Sequence, residues 1–308
     1  MTEPEETPKR LALRIAAESL RGMRVGVPRL VDLLRERSAG ATFFFDFGPD
    51  RSGRRAKQLK RQLSPSALAV ADPLERFGRL GLFHGVLWPG PRLAWLAAKS
   101  MRAARDAGFE VGLRAWSGVE WTAKAPRADG RWTERTMRRA ARAFERVFGE
   151  PPRAHAAPDW VMNVHAFRLT QRLGFDYGAD SRGEAAFVPV HRAELVACPQ
   201  LPTTLPTLDE LVMAELSVEA AVERLLAMTA ADPREHTFAA SAELEGQKLA
   251  PEFARLLDGW LAQGYEIVAL RTLLEGITVR GLPRHCLVEV VNETRDAMPA
   301  VQGSTFLA

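Results

Sequence analysis

The stretch that decides the fold is FEVGLRAWSGVEW, residues 109–121. It follows Asp106-Ala107-Gly108, which is typical of a helix end, because glycine adopts the left-handed conformation there without strain. Residues 109–113, apolar except for Glu110, predict a buried strand, and the two tryptophans beyond them predict a loop. The stretch therefore predicts one strand of a buried sheet that runs directly into an aromatic loop.

The same alternation of strand and helix extends over most of the chain. Residues 11–16 (LALRIA) and 41–45 (ATFFF) predict two strands, and residues 22–37 between them have apolar side chains at helical spacing. A strand, a helix and a strand at this spacing form a βαβ unit. The alternation predicts a parallel sheet covered by helices. The pattern alone leaves open whether that sheet closes into a barrel.

The remaining elements follow from the same patterns. Thr133 and Asn163 are predicted N-caps of two helices. Residues 1–10 predict a disordered segment, and residues 286–308 predict an irregular tail with one strand at 287–291. Further helices are predicted at residues 92–107, 133–148, 163–173, 217–230 and 251–263, and further strands at 153–157, 187–190, 194–197, 236–240 and 265–269.

Residues 51–91 interrupt the alternation. Their first part is rich in arginine and lysine, and their second part is rich in leucine and aromatic residues. A basic stretch beside an amphipathic aromatic one is typical of a segment that lies in a membrane interface. A pair of inserted helices packed against the domain has the same composition, so both interpretations stay open.

The composition of the 308 residues is that of a globular protein, with 46% hydrophobic and 26% charged residues. A net charge of +4 favours acidic partners such as phosphate groups or anionic lipids. The sequence contains no nucleic-acid-binding motif, so no nucleic acid is expected. Two cysteines exclude a disulfide scaffold. The polar N-terminus has no signal-peptide pattern, which predicts a cytoplasmic protein.

Short runs between residues 11 and 285 form a framework: GVPRL at 26–30, FGPD at 47–50, Trp160, DSRG at 180–183, LPTLDE at 205–210 and AELEG at 242–246. Together they resemble the polysaccharide deacetylase (NodB-homology) family. The similarity is greatest to its ArnD branch, which deformylates lipid-linked 4-deoxy-4-formamido-arabinose. The resemblance implies an α/β fold for residues 11–285, a distorted (β/α)7 barrel with an inserted amphipathic helical segment at 51–91. It also implies a site at the carboxyl ends of the strands, where the family holds a divalent metal such as zinc.

The positions that carry chemistry in that family differ in this chain. The family's catalytic base and first metal-ligating aspartate match Ala16 and Glu18. Its His-x-x-x-His metal pair matches Arg114 and Gly118, and its late catalytic histidine matches Ser241. One surviving carboxylate is not a metal site, and the members of a catalytic unit do not replace one another. We therefore expect no bound metal and no hydrolysis by the family's mechanism.

The resemblance also implies a set of substrate-binding residues. We expect their carboxylates to pair with Arg114 or Arg14, so that a guanidinium replaces the charge of the missing ion. His155 is expected to be a structural or surface histidine, and Cys198 an inert thiol, because no base lies near the cysteine in the sequence. The implied substrate-binding residues are Arg14, Trp116, Asp159, Trp160, Arg182, Thr204, Glu243 and Glu245.

Three functional classes remain open at this stage. The first is a pseudoenzyme of the ArnD branch that binds a polyprenyl-phosphate-linked amino sugar. It could also bind an active partner, either a deformylase or a glycosyltransferase, at the inner-membrane surface. The second is an active deformylase or deacetylase of a lipid-linked sugar in lipid A or cell-envelope modification, which would use Glu18, Asp159 and Glu243. The third is a regulatory or scaffold subunit that binds no sugar.

Overall fold

The centre of the molecule is a parallel sheet of seven strands, in a computed structural model that describes residues 9–214, 217–290 and 298–306. Its strands follow the order β10-β1-β2-β3-β4-β5, and β9 also pairs with β1. The strands within the described residues are β1 Lys9–Ala17, β2 Thr42–Asp46, β3 Glu110–Ala115, β4 Ala154–His155, β5 Tyr177–Gly178, β6 Ser181–Arg182, β7 Val188–His191, β8 Glu194–Leu195, β9 His236–Ser241, β10 Tyr265–Val268, β11 Arg284–Glu289 and β12 Ala300–Thr305.

Strand β1 has three neighbours and holds the barrel together. Along one edge its first half pairs with β10 and its second half with β2, whereas β9 pairs with residues 11–16 along the opposite edge. Leu11, Leu13 and Ile15 of this strand are fully buried. A strand that is covered on both faces has a continuous apolar sequence, which is why residues 11–16 could be identified from the sequence.

Residues 200–205 close the gap between β5 and β9. The Leu201 amide donates to the Gly178 carbonyl (2.8 Å), and the amides of Thr204 and Leu205 donate to the Thr237 carbonyl (3.1 and 3.3 Å). The sheet is therefore a distorted parallel barrel with helices outside it. The predicted α/β barrel is confirmed.

The helices lie at the predicted places with some corrections. They are α1 Val27–Arg35, α2 Ser52–Gln62, α3 Pro65–Val70, α4 Pro73–Gly81, α5 Leu93–Leu96, α6 Ala98–Asp106, α7 Gly118–Lys124, α8 Gly130–Phe148, α9 Val164–Arg172, α10 Leu208–Met213, α11 Val218–Ala231 and α12 Ala250–Ala262. A π-helical turn, Gly22–Gly26, leads into α1. The predicted helix 92–107 is two helices, because the backbone leaves the helical conformation at Ala97.

Two predicted N-caps have different outcomes. Asn163 caps α9 as expected, and its side chain accepts a hydrogen bond from the Ala166 amide (2.8 Å). The predicted cap at Thr133 is wrong, because α8 begins three residues earlier and Asp129 accepts from the Trp132 amide (2.7 Å). An aspartate accepts this hydrogen bond as well as a threonine does, and the sequence offers both residues.

The segment 51–91 is helical and packs against the barrel. The Gln247 side chain donates to the Arg76 carbonyl (3.0 Å), and Arg76 pairs with Asp209 (2.6 Å). The segment nevertheless leaves large apolar side chains exposed, so it combines features of both open interpretations. Within residues 73–96 this exposed apolar group consists of Leu74, Leu80, Phe83, Leu87, Trp88 and Trp95.

The end of the chain belongs to a second sheet. Strands β11 and β12 form an antiparallel pair, and the five strands follow the order β6-β12-β11-β7-β8. The predicted irregular tail is therefore wrong for residues 298–306. The strand predicted at 287–291 begins at Arg284, and Val291 lies outside the described residues. Lys9 and Arg10 belong to β1 and not to a disordered segment, whereas residues 1–8 lie outside the described residues.

Candidate functional site

A cavity of about 120 Å³ opens at the carboxyl ends of β1 and β9. Side chains alternate along a strand, so Arg14, Ala16 and Glu18 reach the cavity from the same face at the end of β1. Most of the residues implied by the resemblance line this cavity. They are Arg14, Ala16, Glu18, Arg114, Asp159, Trp160, Ser241, Glu243 and Glu245.

Two arginines hold the carboxylates at the mouth of the barrel. Arg55 of α2 binds Glu18 through two nitrogens (2.9 and 3.1 Å) and reaches Asp159 with two more contacts (3.1 and 3.2 Å). Arg114 of β3 lies 3.2 Å from Glu18 and 3.0 Å from Asp46. The two guanidinium groups and three carboxylates form one connected network, called the arginine network below.

Gly118, which the resemblance matches to the second family histidine, leaves room for the Arg114 guanidinium. A Cβ atom built on Gly118 would overlap the NH1 group of Arg114 and approach the Asp46 carboxylate. The Gly118 amide also donates to Asp46 Oδ2 (2.5 Å). Arg114 in this conformation therefore requires a glycine four residues further on, so the two departures from the family pattern are one structural change.

Burial and the arginines together set the protonation of the network. Burial works to raise the pKa of Glu18, but the charges of Arg55 and Arg114 outweigh it and hold this pKa below its usual value. Burial raises the pKa of Asp46 to about 6, in spite of its contact with Arg114. Glu18 thus stays ionised at neutral pH, as an ion pair requires.

The prediction that Glu243 and Glu245 pair with Arg114 or Arg14 is wrong. Glu243 Oε1 accepts from the amides of Glu18 and Ser19 (3.0 Å each) and from the Ser19 hydroxyl (2.7 Å). Glu245 Oε2 accepts from the Ser241 amide (2.8 Å). Backbone donors at the strand ends lie closer to these carboxylates than any guanidinium, which is why the pairing differs.

The carboxyl groups of Glu243 and Glu245 have raised pKa values. Burial, together with the negative charge of Glu18, raises the pKa of Glu243 to about 7. Burial raises the pKa of Glu245 to about 7 as well. Both side chains are almost fully buried, so the neutral acid is favoured over the anion.

Arg14 and Trp160 form one wall of the cavity. The guanidinium carbon of Arg14 lies 5.3 Å from the Trp160 ring centre and 5.9 Å from that of Phe44. The Trp160 indole donates to the Thr203 hydroxyl (2.9 Å). Asp159 and Trp160 both have positive φ angles (49° and 56°), which L-residues rarely adopt. Such strained pairs persist only where the surroundings hold them.

Three predicted substrate contacts lie outside the lining of this cavity. Arg182 binds Glu210 (3.0 and 3.2 Å) and the Leu205 carbonyl (3.1 Å), so it braces the loop that closes the barrel. Trp116 is covered by Arg139, whose guanidinium carbon lies 3.8 Å from the ring centre. Thr204 contacts His236 Nδ1 (3.1 Å) beside a separate cavity of about 290 Å³.

Four charged residues of the site were missed by sequence reasoning. Asp46 directly follows the aromatic strand β2, so its position at a strand end was a usable signal. Arg55 and Arg76 come from the basic insertion, and Asp209 from the LPTLDE run. Nothing in the local sequence of the insertion tells which of its many basic residues points into the barrel.

The predictions for the remaining residues agree with the structure. His155 is buried and its Nδ1 lies 2.6 Å from Asp180 Oδ1, which also accepts from the Ala157 amide (2.8 Å). It is therefore a structural residue of β4. Burial raises the pKa of the Cys198 thiol to about 12, so this cysteine is not a nucleophile at neutral pH.

The residues present do not fit a divalent metal. Within the described parts of the chain, no three His, Cys, Asp or Glu side chains are arranged to hold one. Glu18 and Arg114, which the resemblance matches to ligand positions, bind each other, and Arg55 also binds Glu18. A permanent cation at a ligand position opposes a second cation there.

Comparisons with known proteins agree with this architecture. No protein-family model matches the chain. A protein from Shewanella sediminis, assigned as the deformylase ArnD, is 34% identical over 203 residues, which are 66% of this chain and 65% of that protein. An ArnD assigned in Wigglesworthia glossinidia brevipalpis is 25% identical over 82% of this chain and 88% of its own length.

A solved structure has the same fold. It is from Mycobacterium smegmatis, is assigned as a polysaccharide deacetylase, and covers 94% of this chain and 97% of its own, with a TM-score of 0.60 and 16% identity. The chain shares the fold of this polysaccharide deacetylase and is similar in sequence to proteins assigned as ArnD. The match spans just under two thirds of the Shewanella relative.

Proposed function

We propose that this protein is a pseudoenzyme of the ArnD branch, which retains the barrel and binds a ligand without hydrolysing it. The observation that carries the proposal is the arginine network. Arg55 and Arg114 bind Glu18 at 2.9–3.2 Å, and the resemblance matches both Glu18 and Arg114 to metal-ligand positions of the family.

The chemistry of amide hydrolysis supports this proposal. A metal-dependent deacylase needs a metal-activated water, a carboxylate base and donors for the oxyanion. Ala16 provides no base, and Ser241 has neither the charge nor the proton affinity of the family's histidine. Such losses are not made good by neighbouring groups, because the members of a catalytic unit act together.

The names of the relatives suggest the ligand. Two of them are assigned as deformylases of 4-deoxy-4-formamido-L-arabinose-phosphoundecaprenol, a sugar on a polyprenyl phosphate. We propose that this chain binds a polyprenyl-phosphate-linked amino sugar, or an active deformylase or glycosyltransferase that acts on one. The cytoplasmic side of the inner membrane is the proposed location, because such a lipid is held there.

The exposed apolar group supports contact with a membrane surface. Leu87 and Trp88 of the insertion are 67% and 55% exposed, and Trp95, just beyond it, is 79% exposed. The basic helix α2 belongs to the insertion as well. Exposed aromatic and leucine side chains beside basic residues are typical of segments that enter the headgroup region of anionic bilayers. No helix in the described ranges is long and apolar enough to cross a membrane.

A second candidate is an active hydrolase that uses carboxyl groups alone. The observation in its favour is that the pKa values of Glu243 and Glu245 are both about 7, which suits a general acid or base at neutral pH. Both groups are held by backbone amides at the strand ends, and activity measurements distinguish the two candidates.

The test of the pseudoenzyme is metal content together with turnover. The purified protein is loaded with zinc, cobalt or nickel, desalted and analysed by elemental mass spectrometry, with the Shewanella relative treated in parallel. We expect well under one ion per chain and no release of formate from a formamido-sugar lipid. Tight binding of one ion, or formate release above the background of a heat-treated sample, would refute the proposal.

The test of the membrane surface is sedimentation with vesicles. We expect the protein to bind vesicles that contain anionic lipid, and the variant Leu87→Ser/Trp88→Ser to bind at least several-fold less. Leu195→Ser is the matched control, since Leu195 is 48% exposed on β8, outside the insertion. Equal binding by all three proteins would show that the exposed apolar group has no such role.

A further inference from the structure

One buried cation in the cavity lacks the counter-charge that its neighbours have. Arg14 is 4% exposed and lines the cavity. Within the described residues its only hydrogen-bond acceptor is the Ala157 carbonyl (2.7 Å), its Nε has no partner, and no carboxylate lies within ion-pair distance. A buried guanidinium without a carboxylate is uncommon, because burial of an unpaired charge is strongly unfavourable.

The other arginines of the cavity show the contrast. Arg55, Arg76 and Arg114 each bind at least one carboxylate, at distances between 2.6 and 3.2 Å. Burial, and next the positive charge of Arg114, lower the pKa of Arg14 to about 9. The more distant Asp180 and Asp159 offset this only in part. The wall formed by Arg14 is therefore the positively charged part of the cavity.

The carboxylates that line the cavity are bound by other groups and do not pair with Arg14. Glu18 and Asp159 are bound by Arg55, and Asp209 by Arg76. Glu243 and Glu245 accept from backbone amides. The Phe44 and Trp160 rings flank the guanidinium and fix its orientation. A cavity of about 120 Å³ is well above the ~10–15 Å³ needed for one water.

We propose that this cavity binds an oxyanion, the carboxylate or phosphate group of its ligand, on the Arg14 guanidinium. The proposal rests on the proposed loss of hydrolysis and makes it more specific. The family's site accommodates a neutral N-acyl group beside a metal ion, whereas this site offers a fixed, oriented guanidinium with free N–H donors. Guanidinium groups bind carboxylate and phosphate oxygens through directed, charge-assisted hydrogen bonds.

The experiment measures the binding of inorganic phosphate and of acetate by isothermal titration calorimetry at constant ionic strength, with chloride as the reference anion. We expect phosphate or acetate to bind the wild-type protein, and Arg14→Met to bind at least tenfold more weakly. Arg139→Met is the matched control, because Arg139 also lies over a tryptophan but outside this cavity. It should bind like the wild type.

The melting temperature without added anion separates a binding arginine from a structural one. Removal of an uncompensated buried charge should leave the melting temperature of Arg14→Met unchanged or higher. Arg14→Lys keeps the charge but loses the planar donor pair, so it should bind with intermediate affinity. The proposal is overturned if chloride gives the same heat as the oxyanions, if Arg14→Met binds normally, or if both Arg14 variants melt lower and Arg14→Lys does not bind.

Two further measurements identify the kind of ligand that carries the oxyanion and separate this proposal from the proposed function. Glucose 1-phosphate binding more tightly than phosphate indicates a sugar phosphate, whereas a preference for acetate indicates a carboxylate ligand. Formate release is assayed on the same preparation. If the protein hydrolyses the formamido sugar and also binds oxyanions, the pseudoenzyme is refuted and the anion site is retained. If the protein neither hydrolyses the sugar nor binds oxyanions, only the anion site is refuted.

Discussion

Replacement of Arg114 by alanine tests the arginine network directly. Arg114 is 5% exposed, and its guanidinium contacts Asp46 at 3.0 Å and Glu18 at 3.2 Å. The variant Arg114→Ala leaves both carboxylates in place and removes the charge that they share. Arg55 still binds Glu18, but no other guanidinium in the described residues contacts Asp46. Asp46 therefore becomes a buried carboxylate without a counter-charge.

The size of the effect follows from this geometry. Loss of one partner of a buried ion pair destabilises a protein by about 3–5 kcal/mol. The entropy of unfolding is about 2.1 cal/mol/K per residue, or roughly 0.65 kcal/mol/K for a chain of 308 residues. The melting temperature should therefore fall by about 5–8 °C. The loss should be smaller at pH 5 than at pH 8, because Asp46, whose pKa is already about 6, then takes up a proton.

Thermal unfolding followed by circular dichroism at both pH values provides the measurement. Arg138→Ala is the control, because the Arg138 side chain is 44% exposed and, among the described residues, pairs only with Glu134 one turn away on α8. Its melting temperature should change by about 1 °C or less. Asp46→Asn added to Arg114→Ala should recover part of the loss. An unchanged melting temperature in Arg114→Ala at pH 8 would show that the network does not stabilise the barrel.

Two further predictions concern the same end of the barrel. The folded-state pKa of Glu245 is about 7, well above its ordinary value. Between about pH 5 and 7 the folded protein therefore holds a proton that the unfolded chain has released. The stability of the folded protein falls as the pH rises through this range. Glu245→Gln should flatten this dependence and raise the stability at pH 8 by up to about 3 kcal/mol; an unchanged pH profile of urea unfolding would contradict it. Gly26→Ala should destabilise the protein by about 1–3 kcal/mol in the same assay, because its Cβ would overlap the Ala242 carbonyl. Gly281→Ala is the control: its Cβ meets open space, so its stability should lie within about 0.5 kcal/mol of the wild type. Equal stability of the two variants would refute the steric argument.

The barrel was predictable because its strands and helices have strong local patterns. The runs LALRIA and ATFFF are apolar except for Arg14 and Thr42, since strands β1 and β2 are buried on both faces. The Asn163 cap was predictable for the same reason, because its hydrogen bond is made within three residues. The Thr133 cap was not, because Asp129 offers a competing cap one turn earlier.

The site was only partly predictable because its charges pair over long sequence separations. The replaced positions Ala16, Arg114, Gly118 and Ser241 follow from the family pattern. The partner of Glu18 and Asp159, however, is Arg55, which lies 37 residues from the first and 104 from the second. Local sequence cannot select one of the three arginines of α2, and the fold of the insertion decides which of them enters the barrel.

The overlap at Gly118 also bears on how such a chain evolves. A histidine at position 118 collides with the Arg114 guanidinium, so that substitution alone is opposed by sterics. A histidine at position 114 alone leaves Asp46 without its partner, so that substitution is opposed by electrostatics. Within the present structure each single substitution toward the family pattern is therefore unfavourable. Positions 114 and 118 should tolerate change only together, as one coupled pair.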